Sequence, residues 1–198
     1  FILRFFVGEG AIGVYYFAQQ IATLPQKLKT SFEPILGPVI TRNLKEGNLA
    51  GIAAQVRQVG YWIIAAQFGI ALALAIPGQG IMGLGGPDFV GGTGALAFLL
   101  AAEVVAATAV VSEAALVYVA RVQNLLISLL TFTLQGLLTL GGIMLVTEMG
   151  LNDNFRAAAA AAALMLSLGA SSVLKSWLLA AKLNASVNNW RWTLAWAA

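Results

Sequence analysis

The stretch GALAFLLAAEVVAATAVV, residues 94–111, is a run of apolar residues interrupted by a single charge, Glu103. An α-helix rises about 1.5 Å per residue, so a run of this length crosses most of the roughly 30 Å hydrocarbon core of a bilayer. The run does not alternate apolar and polar residues, as the strands of a membrane β-barrel do. The stretch therefore predicts a transmembrane α-helix.

The composition extends this prediction to the whole chain. Apolar residues make up 60% of the sequence and charged residues only 10%, and the mean hydropathy is +0.85, whereas soluble domains carry about 25% charged residues. We therefore predict an all-α polytopic transmembrane helix bundle that forms one domain over residues 1–198. The predicted spans are 11–32, 60–76, 94–111, 125–146 and 157–181, with partial spans at 1–7 and 190–198.

The ends and the connections of the chain follow from the same pattern. Both ends lie in apolar stretches, which predicts a fragment whose two neighbouring segments are missing. The polar stretch EPILGPVITRNLKEGN, residues 33–48, is interrupted by Pro34, Gly37 and Pro38 and is expected to be a loop with an amphipathic piece. Residues 77–93, rich in glycine, are expected to form a tight outer loop.

The basic residues predict the orientation of the spans, because Lys and Arg concentrate in cytoplasmic loops. When the spans alternate in direction, only Arg4 and Arg156 lie at one face. The other nine basic residues lie at the opposite face, which is therefore predicted to be cytoplasmic; they are Lys27, Lys29, Arg42, Lys45, Arg57, Arg121, Lys175, Lys182 and Arg191. Lys175 is expected to snorkel to this interface along its aliphatic stem.

Several kinds of chemistry are excluded by residue type. The sequence contains no Cys and no His, which rules out thiol and imidazole nucleophiles and the usual zinc sites. The pattern G-x-G-x-x-G at Gly78, Gly80 and Gly83 matches a dinucleotide-binding motif, but no βαβ unit is predicted around it. We predict no catalytic residue, no metal, no cofactor and no nucleic-acid partner, and hence a protein that is not an enzyme.

Polar residues at mid-membrane depth are the candidate functional residues. Glu103 and Gln67 lie roughly 13 Å below the outer ends of their spans, Gln19 roughly 12 Å and Gln135 roughly 16 Å, and Gln20 adjoins Gln19. We call these five residues the polar belt. One hypothesis is that they line a central cavity, where Glu103 would be a proton or cation site or a contact for a polar substrate. The alternative is that the amides bond between helices as packing contacts, each worth about 0.6 kcal/mol.

Arg121 is a candidate at the cytoplasmic face. It flanks the short turn before the span at 125–146, and Glu113 lies eight residues before it. The two residues could pair or contact lipid headgroups, and the guanidinium of Arg121 could hold a phosphate. A solvated charge that sets the membrane topology is the alternative.

Four stretches resemble a known family. They are GVYYFAQQIATLPQKLKTSFEPILGPVITRNL (residues 13–44), QVGYWIIAAQ (58–67), GLGGPDFVGG (83–92) and LVYVARVQNLL (116–126). They are similar to polysaccharide-biosynthesis flippases, exporters of lipopolysaccharide, O-antigen or exopolysaccharide precursors in the multidrug, oligosaccharidyl-lipid and polysaccharide exporter superfamily. The resemblance covers most of the chain and implies the second bundle of a two-bundle transporter, from the end of its seventh span to the start of its thirteenth.

The resemblance also implies a function and partners. The transporter would translocate undecaprenyl-diphosphate-linked sugars across the bacterial inner membrane by alternating access. Its partners would be the lipid-linked oligosaccharide, membrane lipids and the missing N-terminal half of the same protein. Family members that handle such substrates use cationic residues in the central cavity, and the sequence predicts no Lys or Arg at mid-depth here.

Two other functions stay open at this point. A cation-coupled multidrug exporter of the same superfamily would need an acidic ion site, for which Glu103 is the candidate. A membrane-embedded polysaccharide polymerase or glycosyl-transfer enzyme is disfavoured, because the chain has no His and no predicted outer loop long enough for a catalytic cluster.

Overall fold

The computed structural model describes residues 6–30 and 33–188. Within those residues the chain forms seven α-helices and one short 3₁₀ helix, and it contains no β-strand. The α-helices are α1 (Glu9–Thr30), α2 (Glu33–Lys45), α3 (Leu49–Ala75), α4 (Gly78–Gly83), α5 (Thr93–Val119), α6 (Arg121–Glu148) and α7 (Asp153–Leu183), and the 3₁₀ helix is Pro87–Gly92. The predicted all-α bundle is thus confirmed, whereas the partial spans at 1–7 and 190–198 lie largely or wholly outside the described residues.

Four helical segments of the described chain are long and apolar enough to cross a membrane. They are Leu49–Ala75, Pro87–Val119, Arg121–Glu148 and Asp153–Leu183, with lengths of 27, 33, 28 and 31 residues. These helices contain all of the predicted spans 94–111, 125–146 and 157–181, and all of 60–76 except its last residue. They continue beyond the spans, because a helix does not end where the hydrocarbon ends. They support a membrane-embedded protein with transmembrane helices.

Helix α1 occupies most of the predicted span 11–32 but is not among these four segments. Its sequence carries adjacent glutamines at 19 and 20, a proline at 25 and Lys27, which lower its mean hydropathy. The span at α1 therefore stays a prediction.

Two segments expected to be loops are helical. Residues 33–45 form α2, although Pro34 and Pro38 argued for a loop. Pro34, the second residue of α2, is tolerated because the first N–H groups of a helix have no intrahelical partner, whereas Pro38 lies inside the helix and removes one of its hydrogen bonds. Leu36 and Ile40, one turn apart on α2, are buried in a hydrophobic cluster with residues of α3, the second half of α5 and the end of α7. This tertiary burial stabilises the helix. Likewise, residues 77–93 contain α4 and the 3₁₀ helix.

Helix α5 forms the centre of the bundle and packs most extensively against α7, with α1 and α3 on its other sides. Both α5 and α7 bury alanines, including Ala102, Ala106, Ala157 and Ala161, and a Cβ atom added at Gly94 of α5 would lie 3.7 Å from that of Ala158 on α7. Small side chains let two helix backbones approach closely. Helix α6 packs chiefly against α7 and is thereby separated from α1 and α3.

Candidate functional site

A cavity of about 300 Å³ lies between α1, α5 and α7. We call it the polar cavity, because half of its lining residues are polar or charged. The polar lining consists of Gln19, Thr23 and Gln26 on α1, Glu103 and Glu113 on α5, and Ser171 and Lys175 on α7. The apolar lining consists of Ala22, Leu99, Ala106, Ala109, Val110, Leu164 and Leu168.

Helical periodicity explains why each helix presents these residues together. Residues three, four or seven positions apart share one face of an α-helix. On α5 the lining positions 103, 106, 110 and 113 follow this spacing, and on α7 positions 164, 168, 171 and 175 do the same. Each helix therefore turns a single face towards the cavity, and that face mixes small residues with a few polar ones.

An ion pair joins α5 and α7 at the cavity. The Lys175 Nζ atom donates a hydrogen bond to Glu113 Oε2 at 2.8 Å. The Lys175 side chain is only 5% exposed, whereas that of Glu113 is 42% exposed. The expectation that Lys175 snorkels to the interface is therefore wrong, because its ammonium finds a carboxylate inside the bundle. Glu113 likewise pairs with Lys175 and not with Arg121, which is exposed at the first position of α6.

Glu103 lines the same cavity on the same face of α5. It lies ten residues before Glu113, which corresponds to about 15 Å along the helix axis. The charged part of the described lining thus consists of the carboxylates of Glu103 and Glu113 and the ammonium of Lys175. A charge in the membrane interior is costly unless it faces a partner or water, so charged groups there mark a polar path.

The structure brings two of the five polar-belt residues together and separates the other three. Gln19 and Glu103 line the polar cavity. Gln20 is exposed on the neighbouring face of α1, and Gln135 is half-buried on α6, so neither is part of the lining. A common depth did not place these residues together, because depth does not specify which face of a helix a residue occupies.

Gln67 has a structural contact of its own. It is fully buried on α3, and its Nε2 atom donates to the backbone oxygen of Pro25 at 3.2 Å. Its Oε1 atom is buried and has no hydrogen-bond partner among the described residues. The contact joins α3 to α1 at the proline of that helix, as the packing alternative expects for an intramembrane amide.

Lys175 and Ser171 are cavity residues that the sequence reasoning missed, and Gln26 and Thr23 are two more. The signal that could have found Lys175 is its helical spacing from Ser171 and Leu168, which places all three on one face. A larger groove of about 560 Å³ between α5 and α7 contains no titratable side chain in its described lining. Apolar and small polar residues form that groove, and the polar cavity is therefore the better candidate.

Neither a metal centre nor a relative identifies the site further. Among the residues that the structure describes, no three His, Cys, Asp or Glu side chains lie close enough to hold a metal ion. No family model, curated protein or solved structure matches the chain.

Proposed function

We propose that this chain is a bundle of a membrane transporter, a flippase that moves lipid-linked oligosaccharide precursors across the bacterial inner membrane. The observation that carries the proposal is the polar cavity between α1, α5 and α7, because α5 and α7 are long and apolar enough to span a bilayer. Polar and ionisable groups facing such a cavity are typical of a substrate or ion path. The family resemblance of the sequence supplies the substrate class.

The cavity lining suits a sugar carried on a charged linker. The amides of Gln19 and Gln26 and the hydroxyls of Thr23 and Ser171 both donate and accept hydrogen bonds, as sugar hydroxyls require. Lys175 supplies a positively charged group to the lining. A diphosphate would be attracted to that ammonium, whereas Glu103 would accept hydrogen bonds from the sugar.

The outer surface of the bundle suits the lipid part of such a substrate. Helix α6 exposes large apolar side chains along its length, and they include Leu125, Leu129, Leu130, Phe132 and Leu137. Such a surface is stable in hydrocarbon and unstable in water. The polyprenyl chain would therefore stay in the membrane while only the sugar and diphosphate pass through the cavity.

Substitution of Glu103 tests this proposal. We expect Glu103→Gln in the whole protein to insert normally and to slow flipping of the sugar-lipid by about tenfold, equivalent to about 1.4 kcal/mol. Flipping is measured in reconstituted vesicles as the fraction of sugar-lipid that becomes accessible to an external sugar-modifying enzyme. Glu148→Gln is the matched control, because Glu148 is exposed at the end of α6 and outside the cavity lining. An unchanged rate in Glu103→Gln would contradict the assigned role of this carboxylate.

A second candidate is a cation-coupled multidrug exporter. The observation in its favour is that two carboxylates, those of Glu103 and Glu113, line the cavity, since cation coupling needs an acidic site. A deletion strain separates the candidates: accumulation of unflipped sugar-lipid supports the flippase, and new drug sensitivity with normal sugar-lipid levels supports the exporter. Altered polysaccharide chain length with normal flipping would instead support a polymerase or glycosyl-transfer enzyme.

A further inference from the structure

A second cavity of about 320 Å³ adjoins the polar cavity. Its lining consists of Gly37, Val110, Glu113, Ala114, Val117 and Tyr118. Val110 and Glu113 belong to the linings of both cavities. The second cavity lies towards the C-terminal end of α5, the end followed by Arg121. The Glu113 side chain therefore stands at the junction between the two cavities.

The two partners of the Glu113–Lys175 ion pair differ in their access to solvent. Lys175 is 5% exposed and Glu113 is 42% exposed. A buried charge without a partner is strongly unfavourable, so the pair separates only where both charges can be solvated. The Glu113 carboxylate lines the second cavity and can be solvated there. The Lys175 ammonium lines the polar cavity, and water that enters this cavity when the pair separates would solvate it.

We infer that the Glu113–Lys175 ion pair is a gate between the two cavities. With the pair formed, α5 and α7 are joined across the junction and the polar cavity is closed towards the Arg121 end. When the Glu113 carboxylate turns into the second cavity, the junction opens and solutes reach the Gln19 and Glu103 region. The inference rests on the proposed function only in requiring that the chain is a membrane transporter, and it holds for either transported substrate.

Cysteine accessibility tests the gate without a transport assay. Because the sequence contains no Cys, a single reporter can be added to it, in a whole protein otherwise free of cysteine. Ser171→Cys is the reporter, since Ser171 is buried, lines the polar cavity and lies one helical turn, about 6 Å, before Lys175. Ala114→Cys is the control reporter, because Ala114 lines only the second cavity. A membrane-impermeant maleimide is applied to inside-out and to right-side-out vesicles. The labelling rates are then compared in the orientation in which Ala114→Cys reacts.

Three backgrounds decide the outcome. Glu113→Gln opens the junction but leaves Lys175 unpaired, so the double variant Glu113→Gln with Lys175→Met opens it without a buried charge. We expect both to raise the labelling rate of Ser171→Cys by about tenfold, or about 1.4 kcal/mol of gate stability, and to leave Ala114→Cys unchanged. The charge exchange Glu113→Lys with Lys175→Glu restores the pair and should return the rate towards that of the native pair.

Equal labelling of Ser171→Cys in the native and double-variant backgrounds would overturn the gate and leave the ion pair as a structural tie between α5 and α7. The proposed function fails separately, because it depends on sugar-lipid flipping and not on labelling. If Glu113→Gln fails to accumulate, the double variant alone decides.

Discussion

The two halves of the Glu113–Lys175 ion pair should differ in what their removal costs. Glu113→Gln leaves the Lys175 ammonium facing a neutral amide at 5% exposure. Removing one partner of a fully buried pair costs about 3–5 kcal/mol. Because Glu113 is 42% exposed, the pair is already partly screened, and we expect about 2–3 kcal/mol of destabilisation.

Lys175→Met breaks the same contact at a much lower cost. The remaining Glu113 carboxylate is 42% exposed and can be solvated, so its loss of a partner costs about 0–1 kcal/mol. Methionine replaces the packing of the aliphatic lysine stem with a flexible side chain of similar length. The expected order of stability is native, then Lys175→Met, then Glu113→Gln.

The midpoint of thermal unfolding of the detergent-purified whole protein measures this order. The double variant Glu113→Gln with Lys175→Met completes a mutant cycle and should recover most of the stability lost in Glu113→Gln, because it contains no buried ammonium. Equal midpoints for the two single variants would refute the reasoning, since they would mean that the Lys175 ammonium reaches water.

Two further predictions concern packing around the bundle, with the same unfolding midpoint as their measurement. Gly92→Ala should destabilise by about 1–3 kcal/mol, because its added Cβ atom would collide with the side chains of buried Val14 and Met82. Gly91→Ala is the milder control, since the atoms nearest to its added Cβ atom belong to the Asn154 side chain, whose amide can rotate away. A larger loss for Gly91→Ala would contradict this. Gln67→Leu should change stability by less than about 1 kcal/mol, because it removes a hydrogen bond worth about 0.6 kcal/mol together with an unpaired buried oxygen. Gln67→Ala also removes side-chain volume and should cost about 2 kcal/mol or more. An equally large loss for Gln67→Leu would show that the hydrogen bond to Pro25 contributes more to stability than the volume of the side chain.

Hydropathy and charge were sufficient to predict the four long apolar helices but not the short helix α2. Residues 94–111 are apolar over a length that favours a transmembrane helix, and α5 contains them. Residues 33–45 carry two prolines and a glycine, and local propensity favours a loop there. The burial of Leu36 and Ile40 makes α2 a helix, and such burial depends on partners distant in sequence, which local propensity does not include.

The candidate site was predicted only in part, because the sequence gives the depth of a residue in a span but not its neighbours. Gln135 has the predicted depth, yet α6 packs chiefly against α7, away from α1. The two members of the Glu113–Lys175 ion pair also lie at similar heights in the bundle. Glu113 lies about 30 Å from the start of α5, and Lys175 lies about 33 Å from the start of α7. Opposite charges at similar heights on neighbouring helices of the same direction can pair, and a partner is needed here because Lys175 is buried. For charges in apolar spans, a matched depth is therefore a stronger criterion than for amides, whose bonds contribute little.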